Sequence, residues 1–345
     1  MVRCNAPWEG FHVLYGGDVK CCTWSNVVLG NSHTQSIAEI WNGPQFAEIR
    51  QRMYDDDLAT ICPSWCPRLY KDSSKPRLEP GRAETFNGNV ARIQAEIALG
   101  ETQLGSLPID FRIVPTNACN LRCVMCGQDR GTRRSFGVDF QQDLASFYPY
   151  ARSILAIGGE PLLARAFVAL VRDFDFDLYP DMKFRIVTNG TQFKDSILSL
   201  LPGRFDFVGI SIDSAIPEKL ERIRPGIRWA DLSQGIDRVL ALPGRDFAVE
   251  LMFTIMRSNY EELPEFVQFA VARGAVPTFG PVLGDWHGQQ FSAEEKQLVL
   301  AVLNQLDPAQ VPNLEGCKAF YAEPADSSGV DIQPRHPAAC VDDMG

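Results

Sequence analysis

The chain has 345 residues, of which 45% are hydrophobic, 22% charged and 10% aromatic, a globular composition that excludes a disordered or fibrous protein. No apolar run approaches the roughly 18 residues of a transmembrane helix, and the opening MVRCNAPWEG has no signal-peptide pattern, so the expectation is a soluble, cytoplasmic protein without a membrane partner. With 43 acidic and 33 basic side chains the formal net charge is −10, which disfavours nucleic acid as a partner.

Residues 1–70 are rich in Cys, Trp and Gly, and only Ile37–Met53 among them reads as a helix, interrupted at Pro44. So small a segment buries little apolar core, and an inorganic staple would explain how it folds. Residues 71–106 begin with the polar Lys71-Asp-Ser-Ser-Lys-Pro76 and continue as a helix-like stretch, Asn89–Leu99, which reads as a linker with one connecting helix. From residue 107 strand-like and helix-like segments alternate. The strands are Ile109–Val114, Ser153–Ile157, Lys183–Thr188, Asp206–Ile212, Phe247–Ile255 and Val276–Val282, most of them rich in Ile, Val and Phe and followed by Gly, Pro or Asn. Leu162–Arg172, Phe193–Leu200, Trp229–Ala241 and Tyr260–Arg273 carry apolar residues at helical intervals, and Ala293–Leu306 follows Ser292, a candidate N-cap. Six such units predict an α/β fold, a partial (βα)6 barrel over residues 107–285, since a closed barrel needs eight. Residues 286–345 read as a C-terminal helix and a Pro-rich tail. The basic stretches Arg130–Arg134 and Arg222, Arg224 and Arg228 read as solvated loop or helix faces.

Ten cysteines, at 4, 21, 22, 62, 66, 119, 123, 126, 317 and 340, come in groups. A reducing compartment argues against disulfides and favours metal or cluster ligation. Cys119-Asn-Leu-Arg-Cys123-Val-Met-Cys126 directly follows the first predicted barrel strand, at the end where parallel α/β folds place their sites. Thiolates so spaced can wrap one side of a [4Fe–4S] cube, and three ligands leave one iron open to bind a small molecule. Spacing alone also admits a three-cysteine zinc loop with a remote fourth ligand, or unligated thiols.

At these residues the chain resembles the radical S-adenosylmethionine superfamily, whose loop after the first strand reads C-x3-C-x2-C. Met125 departs from the aromatic residue usual before the third cysteine, although its flexible thioether can still pack against an adenine. The resemblance extends through successive strand ends. Gly158-Gly159-Glu160-Pro161 matches the family's GGE motif at the cofactor's amino group. Val187-Thr188-Asn189-Gly190-Thr191 matches its T-N-G segment, and Ser211-Ile-Asp213-Ser214 lies where polar groups meet the ribose and carboxylate. Taken singly, each tripeptide is as well explained by a turn or a helix start. The resemblance implies a [4Fe–4S] cluster on Cys119, Cys123 and Cys126 that binds S-adenosylmethionine, and Gly158, Gly159, Glu160, Thr188, Asn189, Ser211 and Asp213 as cofactor-binding residues. It further implies reductive cleavage to a 5′-deoxyadenosyl radical, hydrogen-atom abstraction, and an electron donor such as flavodoxin or ferredoxin. Thr254 and Met256 are candidates for the adenosine side, and Asn259 matches a frequent family Asn that could equally be a helix cap.

The N-terminal cysteines form a second constellation: Cys4, Gly17-Asp-Val-Lys-Cys21-Cys22 and Cys62-Pro-Ser-Trp-Cys66. This resembles the twitch or SPASM auxiliary-cluster module, with the order reversed because that module usually follows the barrel. The resemblance implies an auxiliary [4Fe–4S] cluster on Cys4, Cys22, Cys62 and Cys66, with Cys21 the substitute for Cys22. A structural four-cysteine zinc site is the alternative. Trp8, Trp24, Trp41 and Trp65 read as packing for this module. Cys317 and Cys340, beyond the barrel, are too few to hold a cluster; as catalytic groups they are candidate hydrogen donors to a substrate radical, and His287 is the one histidine placed near the last strand. The expected substrate is a peptide or protein, or a sugar-like small molecule, that is oxidised, cross-linked or epimerised. The rival from another class is a non-catalytic zinc- or cluster-binding interaction protein on a barrel scaffold.

Overall fold

The computed structural model describes residues 4–25, 27–63, 66, 78–128, 138–282 and 288–322. Nine strands form one sheet among these residues: β1 (Gly10–Val13), β2 (Asp18–Lys20), β3 (Gly30–Asn31), β4 (Asp110–Ile113), β5 (Ser153–Ala156), β6 (Lys183–Thr188), β7 (Phe205–Ser211), β8 (Ala248–Ile255) and β9 (Val276–Pro281). Their order is β3-β2-β1-β4-β5-β6-β7-β8-β9, linear and therefore open, and β4 to β9 are the six expected barrel strands, all parallel to their neighbours. Helices return between them at Arg165–Asp173, Asp195–Leu198, Pro217–Ile223, Trp229–Leu240 and Leu263–Ala272. The early helix divides as Pro44 suggests, into Ile37–Trp41 and Pro44–Tyr54, and the connecting helix is longer than expected, Glu84–Leu99.

The N-terminal segment is joined to the barrel edge-on. β1 pairs in parallel with β4, Gly10 opposite Asp110 through Val13 opposite Ile113. The seam continues at both ends, where Ile109 N donates to Glu9 O at 2.9 Å and Val114 N to Val13 O at 2.8 Å. β2 then turns back on β1 in a hairpin whose Gly17 has φ +82°, where an added Cβ would lie 2.2 Å from the His33 ring. Four residues containing Gly and His do not read as a strand alone; β4 supplies the partner that makes β1 one.

Between the connecting helix and β4, residues 102–107 bury Leu104 and Ser106 with no ladder to satisfy their backbone, so side chains do so. Asn42 exchanges two hydrogen bonds with Leu104, Asn89 exchanges two with Leu107, and Trp41 Nε1 donates to Ser106 O at 2.9 Å. Glu96 accepts from Gly105 N at 2.7 Å and Ser106 N at 3.0 Å.

Strand alternation sorts the barrel residues onto two faces. Phe111, Phe184, Phe253 and Phe279 face the helices and belong to the main core. The inner face carries a separate small cluster, Val114, Leu155, Ile157 and Phe207, with Leu14, Tyr15, Val187 and Met252 packed against it. The same face is polar elsewhere, through His12, Arg112, Arg185, Glu250 and Thr278. The Arg185 guanidinium lies 4.7 Å over Phe207 and pairs with Asp206 at 3.5 Å.

At the far edge, no tenth strand pairs with β9 among the described residues. Asn313 stands in for one: Phe279 N donates to its Oδ1 at 3.2 Å and its Nδ2 donates to Phe279 O at 2.6 Å. The Cys317 thiol adds a third bond to the same carbonyl, at 3.3 Å. Cys317 thus lies on a helix, Leu314–Ala322, within the main core. The expectation of a tail position gives way because this helix buries Leu314, Cys317 and Tyr321 against the sheet. Trp65, Arg130–Arg134, His287 and Cys340 lie outside the described residues. No helix of the described residues is long and apolar enough to cross a membrane.

Two expectations follow. Asn313→Ala strips the partner of Phe279 N and leaves Phe279 O with the Cys317 thiol, and should cost about 1–3 kcal/mol in urea unfolding; an unchanged midpoint would mean the edge is satisfied otherwise. Burial raises the Glu250 carboxyl to about 7 from its ordinary 4.5, against the pull of Thr278 and Arg185. Because the folded value lies above the unfolded one, the stabilising contribution is complete below about 4.5 and is lost as pH rises through about 7, up to about 3 kcal/mol in all. Glu250→Gln should flatten that part of the stability–pH curve.

Candidate functional site

The cysteine loop leaves the C-terminal end of β4 and is pinned from two sides. Arg122 N donates to Pro225 O and Val124 N to Ile223 O, both at 2.9 Å, which ties the loop to the end of helix Pro217–Ile223. On the other side, Gly159 N donates to Thr116 O at 3.0 Å and Glu160 N to Ala118 O at 2.8 Å. Neither glycine is replaceable in this register. Gly158 has φ +113°, and a Cβ on Gly159 would stand 2.2 Å from the Ala118 carbonyl oxygen.

Cys119, Cys123 and Cys126 are each half-buried on this loop. Burial pushes the Cys119 thiol up and the Cys123 thiol to about 11, with Arg224 opposing the shift and Cys119 and Cys126 adding to it. Two polar side chains meet their sulfurs. Asn189 Nδ2 donates to Cys119 Sγ at 3.7 Å and to Asn120 Oδ1 at 3.0 Å. Arg224 Nη1 lies 3.9 Å from Cys123 Sγ while its Nε donates to Asp213 Oδ2 at 2.6 Å. Arg224, read from sequence as solvated, is buried along with Asp213. No periodicity marks it, because its burial is made by a loop that closes over the end of its own helix.

The motif residues converge here with unequal exposure. Glu160 is fully buried, and its carboxylate accepts from Leu162 N at 3.1 Å, Thr188 Oγ1 at 2.7 Å and Asn189 N at 2.7 Å. It therefore braces the ends of β5 and β6 from below. Asp213 is as buried, receiving Thr254 N at 2.8 Å on its second oxygen. Asn259 links the β7 and β8 ends, donating to Asp213 O at 2.8 Å and Thr254 O at 3.0 Å, and makes no side-chain cap bond. Ser211 is half-buried at the end of β7. Met125 packs with Ile223, Met256 and Val282 into an apolar wall beside the loop. Cys317 is not brought to this site; it sits at the outer edge of β9.

At the N-terminal end of the strands lies the second set. Cys4, Cys21, Cys62 and Cys66 are buried and Cys22 half-buried. Cys22, burial, Cys62 and Cys4 together push the Cys21 thiol up, which puts these four thiols in electrostatic reach of one another. Cys66 N donates to Pro63 O at 3.1 Å, one turn beyond Cys62. Cys21 follows β2 where β1 begins, and a Cβ on Gly10 would be 2.3 Å from its carbonyl oxygen. The two cysteine sets thus flank opposite ends of the β1–β4 pair, at least about 13 Å apart for four residues of strand.

Among the described residues no His, Cys, Asp or Glu group is arranged to hold a single metal ion, and none of their cysteines forms a disulfide. Each donor set is made of thiols, the ligand type of an iron–sulfur cluster. The first set offers three half-buried thiols on one loop with an arginine and an amide donor against its sulfurs.

Since Glu160 is an internal brace, Glu160→Gln should cost about 1–3 kcal/mol in urea unfolding through donors left unmatched, as well as weakening S-adenosylmethionine affinity in equilibrium binding. Unchanged values of both would leave the segment an ordinary turn.

Comparison with known proteins agrees with this geometry. Residues 113–270 match the radical SAM superfamily model, and residues 4–67 match the SPASM model, an iron–sulfur cluster-binding domain. The chain is 32% identical over 166 residues to GTP 3′,8-cyclase of Chlorobaculum tepidum, covering 46% of this chain and 49% of that protein. It is 28% identical over 183 residues to the probable GTP 3′,8-cyclase of Methanothermobacter marburgensis, covering 49% and 55%. The chain spans about half the length of these curated relatives. Among solved structures, Streptococcus suis SuiB bound to its precursor peptide SuiA shares the fold, with a TM-score of 0.50 at 13% identity over 86% of this chain and 67% of that one. Residues 113–270 are thus a radical SAM domain, and residues 4–67, on its N-terminal side, an SPASM-type iron–sulfur cluster-binding domain.

Proposed function

We propose that the chain reductively cleaves S-adenosylmethionine at the Cys119–Cys126 loop and abstracts a hydrogen atom from a peptide or protein substrate. The observation that carries this reading is the convergence of the β5, β6 and β7 loops on the cysteine loop, down to Asn189 at the Cys119 sulfur and Arg224 at the Cys123 sulfur. When bound, a [4Fe–4S] cluster supplies the electron that splits the sulfonium and yields the 5′-deoxyadenosyl radical. The chain's own residues hold and shield. Cys119, Cys123 and Cys126 are the three ligands, and bare backbone at Gly158 and Gly159 receives the methionine amino group. Glu160 and Thr188 fix that loop and Asn189. Ser211 offers a hydroxyl to the ribose or carboxylate, with Asp213 holding the β7 and β8 ends, and the wall of Met125, Ile223, Met256 and Val282 gives the adenine an apolar face that excludes water.

A peptide or protein ranks ahead of a nucleotide. The cyclases are named for GTP, but they match only half of this chain, and a formal charge of −10 receives a triphosphate poorly. SuiB with its precursor peptide is matched over 86% of this chain. The N-terminal cysteines, Cys4, Cys22 (or Cys21), Cys62 and Cys66, hold the auxiliary [4Fe–4S] cluster, which stabilises its small segment and relays an electron. A flavodoxin or ferredoxin in the cytoplasm is the proposed electron donor.

The test is anaerobic incubation of reconstituted protein with S-adenosylmethionine, a reductant and candidate peptides, following 5′-deoxyadenosine and deuterium transfer. Replacing Cys119, Cys123 and Cys126 together with Ala should abolish 5′-deoxyadenosine and lower iron from about eight to about four per chain. Cofactor cleavage retained in that variant would overturn the reading.

A further inference from the structure

Arg50 is the most completely buried arginine among the described residues, and the catalytic site does not use it. It projects from helix Pro44–Tyr54 and is fully buried. Its Nε donates to Pro7 O and its Nη1 to Thr102 O, both at 2.9 Å. The guanidinium lies 4.5 Å over the Trp41 ring and 4.9 Å from the centre of Phe46. Its Nη2, equally buried, has no hydrogen-bond partner. A guanidinium taken wholly out of water with one N–H unspent is costly to keep unless a negative charge stands nearby.

Its neighbours narrow the source of that charge. Glu96 is within electrostatic reach but its carboxylate is committed to Gly105 N, Ser106 N and Arg92 Nε. Tyr54, pushed up to about 12 by burial, is a neutral phenol that donates to Ile97 O at 3.0 Å. The remaining neighbour is Cys21, of the N-terminal cysteine set. The backbone joins the two as well: Pro7, which Arg50 holds, lies in the helical turn directly after Cys4, and the Gly10 that ends this turn abuts the Cys21 carbonyl.

We propose that Arg50 is the internal counter-ion of the N-terminal cluster, its unspent Nη2 available to the charge that four thiolate ligands bring. This rests on the auxiliary-cluster reading above. A cluster with four thiolates is anionic and becomes more so when reduced, so a fixed cation beside it favours the reduced form. Arg50 is thereby a positioning and tuning residue for electron relay. Two aromatic faces and two carbonyls keep the guanidinium from turning away.

The test uses the full chain with Cys119, Cys123 and Cys126 replaced by Ser, so that only the N-terminal cluster remains. Arg50→Met keeps an unbranched side chain against Trp41 and removes the charge, whereas Arg50→Lys keeps the charge and forfeits the paired carbonyl bonds. The expected result is a reduced-to-oxidised ratio at fixed potential at least tenfold lower in Arg50→Met, about 59 mV for one electron, and a much smaller change in Arg50→Lys. Chain labelled with guanidino-15N arginine should also show 15N coupling to the reduced cluster by pulsed electron paramagnetic resonance, lost in Arg50→Lys. This second measurement decides the matter if Arg50→Met fails to assemble. A loaded Arg50→Met at the parent potential, or no coupling in the labelled chain, would overturn the proposal while the cluster stands. A chain without iron or sulfide would overturn the cluster reading and the proposal with it.

Discussion

Two backbone hydrogen bonds, from Gly159 and Glu160 to the carbonyls of Thr116 and Ala118, determine where the cysteine loop can be. They require the β5 end to approach the β4 end closely enough that no Cβ fits at position 159. Glu160 is then carried beneath the loop, where besides Leu162 N it holds what β6 presents, the Thr188 hydroxyl and the Asn189 amide. Asn189 in turn reaches a cysteine sulfur. Asp213, Arg224 and Asn259 continue the arrangement across β7 and β8. Each strand end is therefore fixed by its neighbour, and the loop needs no regular structure of its own to be held in one place.

The two buried arginines show how differently a charge can be accommodated. Arg224 sits in an ion pair with Asp213, and its remaining reach is toward sulfur. Replacing such a pair by apolar groups is often neutral for stability, so its retention is better explained by where it holds the charge than by how much it stabilises. Arg50 has aromatic faces and carbonyls around it and no carboxylate of its own. Both stand beside cysteines, one at each end of the same strand pair.

Much of this was legible in the chain. The six barrel strands announce themselves through runs such as Phe207–Ile212 and Val249–Ile255, because burial on both faces removes the need for polar alternation. The cysteine loop and the Gly158–Glu160, Thr188–Asn189 and Ser211–Asp213 segments stand out because their spacing and their place at strand ends reinforce one another. What could not be read is whatever depends on a distant partner. Gly10–Val13 is a strand only beside Asp110–Ile113. Arg224 and Arg50 look like surface charge until a loop or a neighbouring helix covers them. Cys317 follows prolines that suggest a tail, yet an amphipathic turn at Leu314, Cys317 and Tyr321 has an uncovered sheet edge to dock against.

The seam between β1 and β4 joins residues one hundred positions apart, Gly10 with Asp110. During synthesis at roughly 5–20 residues per second, β1 and its hairpin wait on the order of 5–20 s for that partner. All five N-terminal cysteines, the last at position 66, emerge well before β4 does. The small segment is therefore synthesised with one side of β1 exposed, and the seam carries a loop-closure cost that the neighbouring βα units, whose strands pair at short sequence distance, do not.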